Sequence, residues 1–179
     1  MKSIAVFLGA RDAKRAVYED AIKELSYALA KHSLDVVYGG SNTGLMKQLA
    51  DHSLAAGSSV IGVSVTALAD HEAPHPNLTE LHIVNDMHQR KSMMAELADG
   101  FIAVPGGVGT LEELFEILTW ARLGFHKKPV GILNVNGYFD HLLAFLDHSV
   151  EEGFLDSTGR QLLQVSHDPT QLIETMQAP

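Results

Sequence analysis

Cysteine is absent from this chain, and aromatic residues make up only 7% of it. Without cysteine there can be no disulfide bond and no thiolate chemistry. The absence of cysteine suits a reducing compartment, and we expect the protein to be cytoplasmic. No apolar stretch approaches the roughly 20 residues that cross a bilayer. Arg11 and Asp12 interrupt the apolar start of the chain, which predicts a buried first strand rather than a secretion signal.

Basic residues are also in short supply, with 13 Lys and Arg against 22 Asp and Glu and a formal net charge of −9. A protein that binds nucleic-acid backbones favours a basic surface, so we expect no nucleic-acid partner and no membrane partner. A small anionic ligand remains compatible with this charge, because a few local cations can define a pocket on an acidic protein.

Short apolar runs alternate with longer segments of helical periodicity. The runs are continuously apolar, as is typical of strands covered on both faces, and the alternation predicts an α/β fold. The predicted strands are Ser3–Leu8, Asp35–Tyr38, Ser59–Val65, Glu80–Val84, Gly100–Val104, Pro129–Leu133 and Gln161–Val165. The predicted helices lie near 16–31, 43–56, 86–98, 110–123, 138–151 and 169–177. We predict one domain over 1–179, a Rossmann-like three-layer sandwich with a mostly parallel sheet of about seven strands.

The clearest functional segment is the glycine-rich stretch 105–113, which follows a predicted strand and opens a predicted helix. Its glycines let the backbone approach a ligand, and the helix start offers free N–H groups, so the pattern predicts a phosphate site. A structural interpretation stays open, in which Thr110 and Glu113 form a capping box that satisfies the helix start.

A second glycine-rich segment, 38–46, also runs from a strand into a helix. Parallel strands open at one edge of the sheet, so we expect the two segments to face the same crevice. Neither segment is a Walker A loop or a clean dinucleotide fingerprint, which makes NAD or ATP chemistry less favoured. A purely structural turn is the alternative for this second segment.

Cations lie on an apolar helical face in the segment 86–98. Arg90 and Lys91 follow Met87 at helical spacing, inside a stripe that includes Met94. A cation on such a face needs a negative partner, which would be an internal carboxylate such as Glu113 or a ligand phosphate. The alternative is that both side chains reach solvent.

The ten histidines do not predict a metal site. His71, Glu72 and His75 share one loop, but their spacing matches no known ligand pattern. We therefore expect neither a metal nor an organic cofactor.

Three segments in this order resemble the Lonely Guy (LOG) family of cytokinin riboside 5′-monophosphate phosphoribohydrolases, often labelled lysine decarboxylases. They are Tyr38-Gly-Gly…Gly44-Leu-Met46, Met87-His-Gln-Arg90-Lys91 and Pro105-Gly-Gly-Val-Gly-Thr110-Leu-Glu-Glu113. Similarity continues through 118–124 and 128–138. Ser41, Lys47 and the first loop, 8–12, depart from the family pattern, which leaves the preferred base open.

The resemblance implies a Rossmann-like, usually dimeric protein that hydrolyses an N6-substituted adenosine 5′-monophosphate to free base and ribose 5-phosphate. It implies that Arg90 and Glu113 are the catalytic pair. The expected substrate-binding residues are Met87, Lys91, Gly106, Gly107, Val108, Gly109, Thr110, Gly39, Gly40 and Gly44. A general purine monophosphate nucleosidase and a non-catalytic nucleotide-binding protein are the alternatives. Pyridoxal-phosphate decarboxylation is disfavoured, because no lysine motif supports it.

The predicted helix at 111–123 has more than one apolar stripe, which predicts a homodimer. The stripes are Leu111, Leu114, Phe115 and Leu118, and Ile117, Trp120 and Leu123. One stripe suffices to cover the sheet, so the second, with the methionines of 86–98, would form a self-complementary patch. The alternative is that neighbouring helices of the same chain bury the second stripe.

Overall fold

The computed structural model describes residues 1–66 and 73–178, which form one seven-stranded sheet with helices on both faces. The strands are β1 (Ser3–Phe7), β2 (Asp35–Tyr38), β3 (Val60–Val65), β4 (Glu80–Val84), β5 (Gly100–Ala103), β6 (Val130–Leu133) and β7 (Leu163–Ser166). The helices are α1 (Ala16–Lys31), α2 (Gly44–Ala55), α3 (Met87–Leu97), α4 (Val108–Arg122), α5 (Asp140–Glu151), α6 (Ser157–Gln161) and α7 (Pro169–Gln177).

The strand order is β4-β3-β2-β1-β5-β6-β7, and every neighbouring pair is parallel. This confirms the predicted fold class. The order reverses at β1, which pairs with β2 on one side and with β5 on the other. Connections therefore leave β1 and β5 toward opposite faces, and such a switch point opens a crevice at the carboxyl ends of the strands.

Two apolar clusters fill the space between the sheet and its helices, one on each face. Ile4 and Val6 of β1 belong to one cluster, and Ala5 and Phe7 belong to the other. Helices α1, α2 and α7 cover the first cluster, whereas α3, α4 and α5 cover the second. This two-sided burial is why the strands are continuously apolar rather than alternating.

The beginning of α4 differs from the prediction. The helix begins at Val108 with Gly107 as its N-cap and without a side-chain capping hydrogen bond, so Thr110 is its third residue. The capping-box interpretation of Thr110 and Glu113 is therefore wrong, because a capping box requires Thr110 at the N-cap position.

The sequence pattern also missed the short helix α6, which Asp156 caps by accepting a hydrogen bond from the N–H of Gly159. The loop that contains His71, Glu72 and His75 lies partly outside the described residues. From residue 73 onward it returns to the sheet, where the N–H of His75 donates to the carbonyl of Gly40 at 2.9 Å. Within the described ranges, no helix is both long and apolar enough to span a membrane.

The members of the second predicted stripe of α4 are buried to different degrees. Ile117 is buried, and Trp120 is partly buried against the core of its own chain, which supports the intramolecular alternative for these two residues. Leu123 at the end of the helix is 57% exposed, and Phe125 just beyond it is 75% exposed.

Candidate active site

A cavity of about 580 Å³ lies at the switch point of the sheet. It is bounded by the loops that follow β1 and β5 and by the first turns of α2, α3 and α4. Its lining residues are Leu8, Gly9, Ala10, Arg11, Asp12, Ala13, Lys14, Tyr18, Leu45, Met46, Met87, Arg90, Pro105, Gly106, Gly107, Gly109, Thr110, Glu112, Glu113 and Tyr138. The cavity therefore has charged groups at its base and an open glycine-rich wall.

The glycine-rich wall is the beginning of α4. Gly107 and Gly109 are exposed, and a methyl group added to either would meet no other atom within 4 Å. The first N–H groups of a helix have no partner inside the helix, and its positive end attracts anions. The hydroxyl of Thr110 is buried and has no hydrogen-bond partner among residues 1–66 and 73–178. Together these donors form a site that suits a phosphate group.

Arg90 and Glu113 form a buried ion pair at the base of the cavity. Nη1 of Arg90 donates to Oε1 of Glu113 at 3.2 Å, and the two side chains are 7% and 8% exposed. Nε of Arg90 donates to the carbonyl oxygen of Val63 at 2.9 Å. Two buried partners thus hold the guanidinium, which explains why a cation is tolerated on the apolar face of α3.

The charge of Glu113 is balanced by opposing effects. Burial raises the pKa of this carboxyl from 4.5 to about 7, while the Arg90 guanidinium beside it works in the opposite direction. A carboxyl group with a pKa near neutrality can accept a proton from water and return it at physiological pH.

The structure separates the expected site residues into two groups. The cavity is lined by Met87, Arg90, Gly106, Gly107, Gly109, Thr110 and Glu113. It is not lined by Lys91, Val108, Gly39, Gly40 or Gly44. Val108 is 85% exposed on the outer side of α4.

The glycines of the second segment contact protein rather than open space. A methyl group added to Gly39 would overlap Nη2 of Arg90, so the absence of a side chain makes room for the guanidinium. Gly44 has a positive φ of 54°, and a methyl group there would overlap the backbone of Ala10 and Arg11. Gly39 and Gly44 therefore shape the site by making room for neighbouring residues, although neither of them lines the cavity.

Lys91 does not line the cavity and instead pairs with two carboxylates of α4. Its ammonium group donates to Oε1 of Glu116 at 3.0 Å and to Oε1 of Glu112. Burial disfavours the charged ammonium, but the hydrogen bonds to Glu112 and Glu116 together with their negative charges hold the pKa of Lys91 above its ordinary value.

Several lining residues were missed by the sequence analysis. The largest group is 9–14, the loop after β1, which lines the cavity opposite the beginning of α4. In the sequence analysis, 8–12 was named only as a departure from the family pattern and was not included among the site residues. Tyr138 was also missed: its hydroxyl donates to the carbonyl oxygen of Gly106 at 2.6 Å, and its ring packs edge-on against Tyr18. The position of the first loop after the central strand was an available signal, whereas the contact between Tyr138 and Gly106 joins distant parts of the sequence.

The histidine-rich loop is only partly described, because His71 and Glu72 lie outside the described residues. His75 is buried, and its Nε2 lies 3.0 Å from Oδ1 of Asp51. Its Nδ1 accepts from the N–H of Asn77 at 3.3 Å. These contacts make His75 part of the support of the Gly40 turn.

Comparison with known proteins places these features in one family. The family model described as "Possible lysine decarboxylase" matches residues 46–176. The cytokinin riboside 5′-monophosphate phosphoribohydrolase of Rhodococcoides fascians is 46% identical, over 99% of this chain and 90% of that protein. An enzyme of the same name from Arabidopsis thaliana is 43% identical, over 98% of this chain and 82% of its own.

Solved structures share the fold. The molybdenum cofactor carrier protein of Chlamydomonas reinhardtii superposes with a TM-score of 0.73 at 21% identity, covering 99% of this chain and 98% of that chain. A structural-genomics target solved by X-ray crystallography superposes with a TM-score of 0.67 at 26% identity, covering 98% and 99% of the two chains. The likeness to the carrier protein concerns the fold alone, because function depends on the site rather than on the fold.

Proposed function

This chain belongs to the LOG family of phosphoribohydrolases, and we propose that it hydrolyses the N-glycosidic bond of N6-substituted adenosine 5′-monophosphates. The products are the free base and ribose 5-phosphate. The observation that carries this proposal is the buried Arg90–Glu113 pair at the base of a cavity whose wall is the beginning of α4.

The reaction needs a group that tolerates developing positive charge on the ribose. As C1′ separates from the base nitrogen, the bonding electron pair leaves with the base, and the sugar acquires oxocarbenium character. Ionised Glu113 stabilises this charge and removes a proton from the attacking water, whose oxygen bonds to C1′. The departing base takes up a proton from solvent. Arg90 holds the Glu113 carboxylate and keeps a rigid set of donors beside the ribose.

The 5′-phosphate docks at the beginning of α4 in this proposal. The phosphate oxygens accept hydrogen bonds from the backbone N–H groups around Gly107 and Gly109. They accept another from the hydroxyl of Thr110, which has no partner within the described residues. Met87, at the first turn of α3, provides an apolar contact for the base. Docking the phosphate places the ribose against Glu113, so binding energy far from the reacting bond orients it.

The test is incubation with AMP, N6-isopentenyl-AMP and adenosine, with the free base followed by chromatography. We expect both monophosphates to be cleaved, with kcat/KM for adenosine at least a hundredfold lower. Equal kcat/KM for AMP and adenosine would contradict the phosphate site. A preference for AMP over its N6-substituted analogue would favour the general purine monophosphate nucleosidase.

We also propose that the protein is a cytoplasmic homodimer built from one domain. Leu123 and Phe125 present an exposed apolar patch at the carboxyl end of α4. Such a patch suits a self-complementary two-fold contact. Light scattering at micromolar concentration should give twice the mass of one chain, and Leu123→Glu should shift the protein toward the monomer. A wild-type mass equal to one chain would refute the dimer.

A further inference from the structure

A second charged cluster lies next to the Arg90–Glu113 pair. It consists of Lys91 on α3 with Glu112 and Glu116 on α4, and we call it the lysine cluster. The Lys91 side chain is only 11% exposed. It does not line the large cavity but lines a narrow crevice together with Glu113 and Glu116, so it lies beside the Glu113 side chain.

Glu116 pairs with Lys91. One of its oxygens accepts from Nζ of Lys91 at 3.0 Å. The other oxygen is buried and has no hydrogen-bond partner among the described residues. A carboxylate in such a position is costly unless a cation is close, and Lys91 is that cation.

The lysine cluster acts on Glu113 through its charges. Glu113 is flanked on α4 by Glu112 and by Glu116, and on α3 by Arg90 and Lys91. After burial, which raises it most, the pKa of Glu113 is lowered by Arg90, raised by Glu112, lowered by Lys91 and raised by Glu116. Phe7 on β1 adds no charge, and the loop after β1 brings Arg11, Asp12 and Lys14 to the cavity wall.

Resting on the proposed function, we propose that Lys91 is a positioning residue that neutralises Glu112 and Glu116 on either side of Glu113 along α4, rather than a residue that binds substrate. Without Lys91, two unbalanced carboxylates would adjoin a third that must be ionised for the reaction. With it, the paired charges leave Glu113 free to serve as the base near neutral pH. The chemistry assigned to Glu113 thus depends on a lysine that makes no contact with the cavity.

The experiment is the pH profile of kcat/KM for AMP in wild type, Lys91→Met, Lys91→Arg and Glu116→Gln. Because Glu113 must be ionised, kcat/KM should fall as the pH drops through about 7 in the wild type. In Lys91→Met the midpoint of this fall should shift by about one pH unit to higher pH. At pH values above this midpoint, where activity is full, KM for AMP should change less than twofold. In Glu116→Gln the midpoint should move to lower pH, and Lys91→Met/Glu116→Gln should lie between the two single variants. Lys91→Arg should keep the wild-type profile.

Lys47→Met is the matched control, because Lys47 also pairs with a carboxylate, that of Asp51, but lies outside the cavity. It should leave the profile in place. A tenfold rise in KM with an unmoved profile in Lys91→Met would overturn the proposal and return Lys91 to substrate binding. An unmoved pH profile in Glu116→Gln would also overturn the proposal. Because this variant retains Lys91, it provides the test if Lys91→Met does not fold.

A titration of ¹³C-labelled glutamate followed by NMR separates this proposal from the proposed function. The ionisation of Glu113 should move in the same directions in these variants, whether or not AMP is hydrolysed. Failure of the wild type to cleave either nucleotide would refute the proposed function alone. An unchanged Glu113 titration in both Lys91→Met and Glu116→Gln would refute the role of Lys91 alone.

Discussion

The two glycine-rich segments look alike in sequence and do different work in the structure. In 105–110, Gly107 and Gly109 face open space at the beginning of α4, where a ligand can reach the backbone. In 38–46, Gly39 faces the guanidinium of Arg90, and Gly44 faces the backbone of the first loop. In the proposed mechanism the first segment binds the substrate, and the second makes room for Arg90 and the first loop. A glycine after a parallel strand therefore predicts close approach, but not what approaches.

The most severe test of this comparison is at Glu113, which pairs with the Arg90 guanidinium that Gly39 accommodates. Glu113→Gln removes the base and the negative charge, while the amide oxygen can still accept from Arg90. We expect kcat for AMP to fall by about 10²- to 10⁴-fold. The protein should still fold, but its thermal unfolding midpoint should be lower, because the buried Arg90 guanidinium loses its negative partner. Steady-state kinetics and circular dichroism check the two halves of this expectation. Wild-type turnover would remove Glu113 from the mechanism.

Gly39→Ala tests whether the second segment makes room for the Arg90 side chain. The added methyl group would displace the end of the Arg90 side chain from Val63 and Glu113. The end of an arginine can move, so we expect the fold to survive but kcat to fall on the order of 10²-fold, as for a catalytic group misplaced by about 1 Å. Gly109→Ala, in open space, is the matched control for kcat. Equal kcat values for the two variants would erase the distinction between the segments.

Gly107→Ala tests whether the 5′-phosphate binds at the first segment, where α4 begins. Its methyl group would enter the space through which the phosphate reaches the helix start, so KM for AMP should rise roughly tenfold at nearly constant kcat. Stability should change little, because no protein atom lies within 4 Å of the added carbon. Inhibition by ribose 5-phosphate should weaken in parallel. Loss of stability without a change in KM would make this segment structural too.

Tyr138→Phe should have the smallest effect. Its hydroxyl holds the carbonyl of Gly106, and across a trans peptide this directs the N–H of Gly107 to the opposite side. Losing one hydrogen bond should raise KM for AMP by roughly threefold. Tyr18→Phe is the control, since the Tyr18 ring packs against Tyr138 in the same cavity. A larger effect from Tyr18→Phe would assign the tyrosine pair a different role.

Much of the fold followed from the sequence, because two-sided burial gives each strand a continuous apolar run. The sequence also indicated that Arg90 needs a negative partner, because a cation on an apolar helical face requires one. In the structure that partner is Glu113. Lys91 could not be separated from Arg90 in this way. Adjacent helical residues point about 100° apart, and only the packing of α3 on α4 decides which of them reaches the cavity.

The other omissions have a similar origin. Gly39 and Arg90 lie far apart in the chain, so no local pattern shows that one makes room for the other. The capping box at Thr110 was a plausible local pattern, but Gly107 supplies the N-cap and the helix begins earlier. Local sequence thus predicted the elements, whereas the contacts between them decided the roles of individual side chains.

The pairing of β1 with β5 also has a consequence for how the protein folds. Ile4 pairs with Gly100, so the central seam of the sheet joins the beginning of the chain to its second half. Contacts of such sequence separation must close a long loop before they return any free energy, which slows folding. The cavity lies on this seam and can therefore form only late, after β5 has docked. During synthesis, one edge of β1 stays unpaired until β5 has been made. We expect the chain to be most prone to aggregation at this stage.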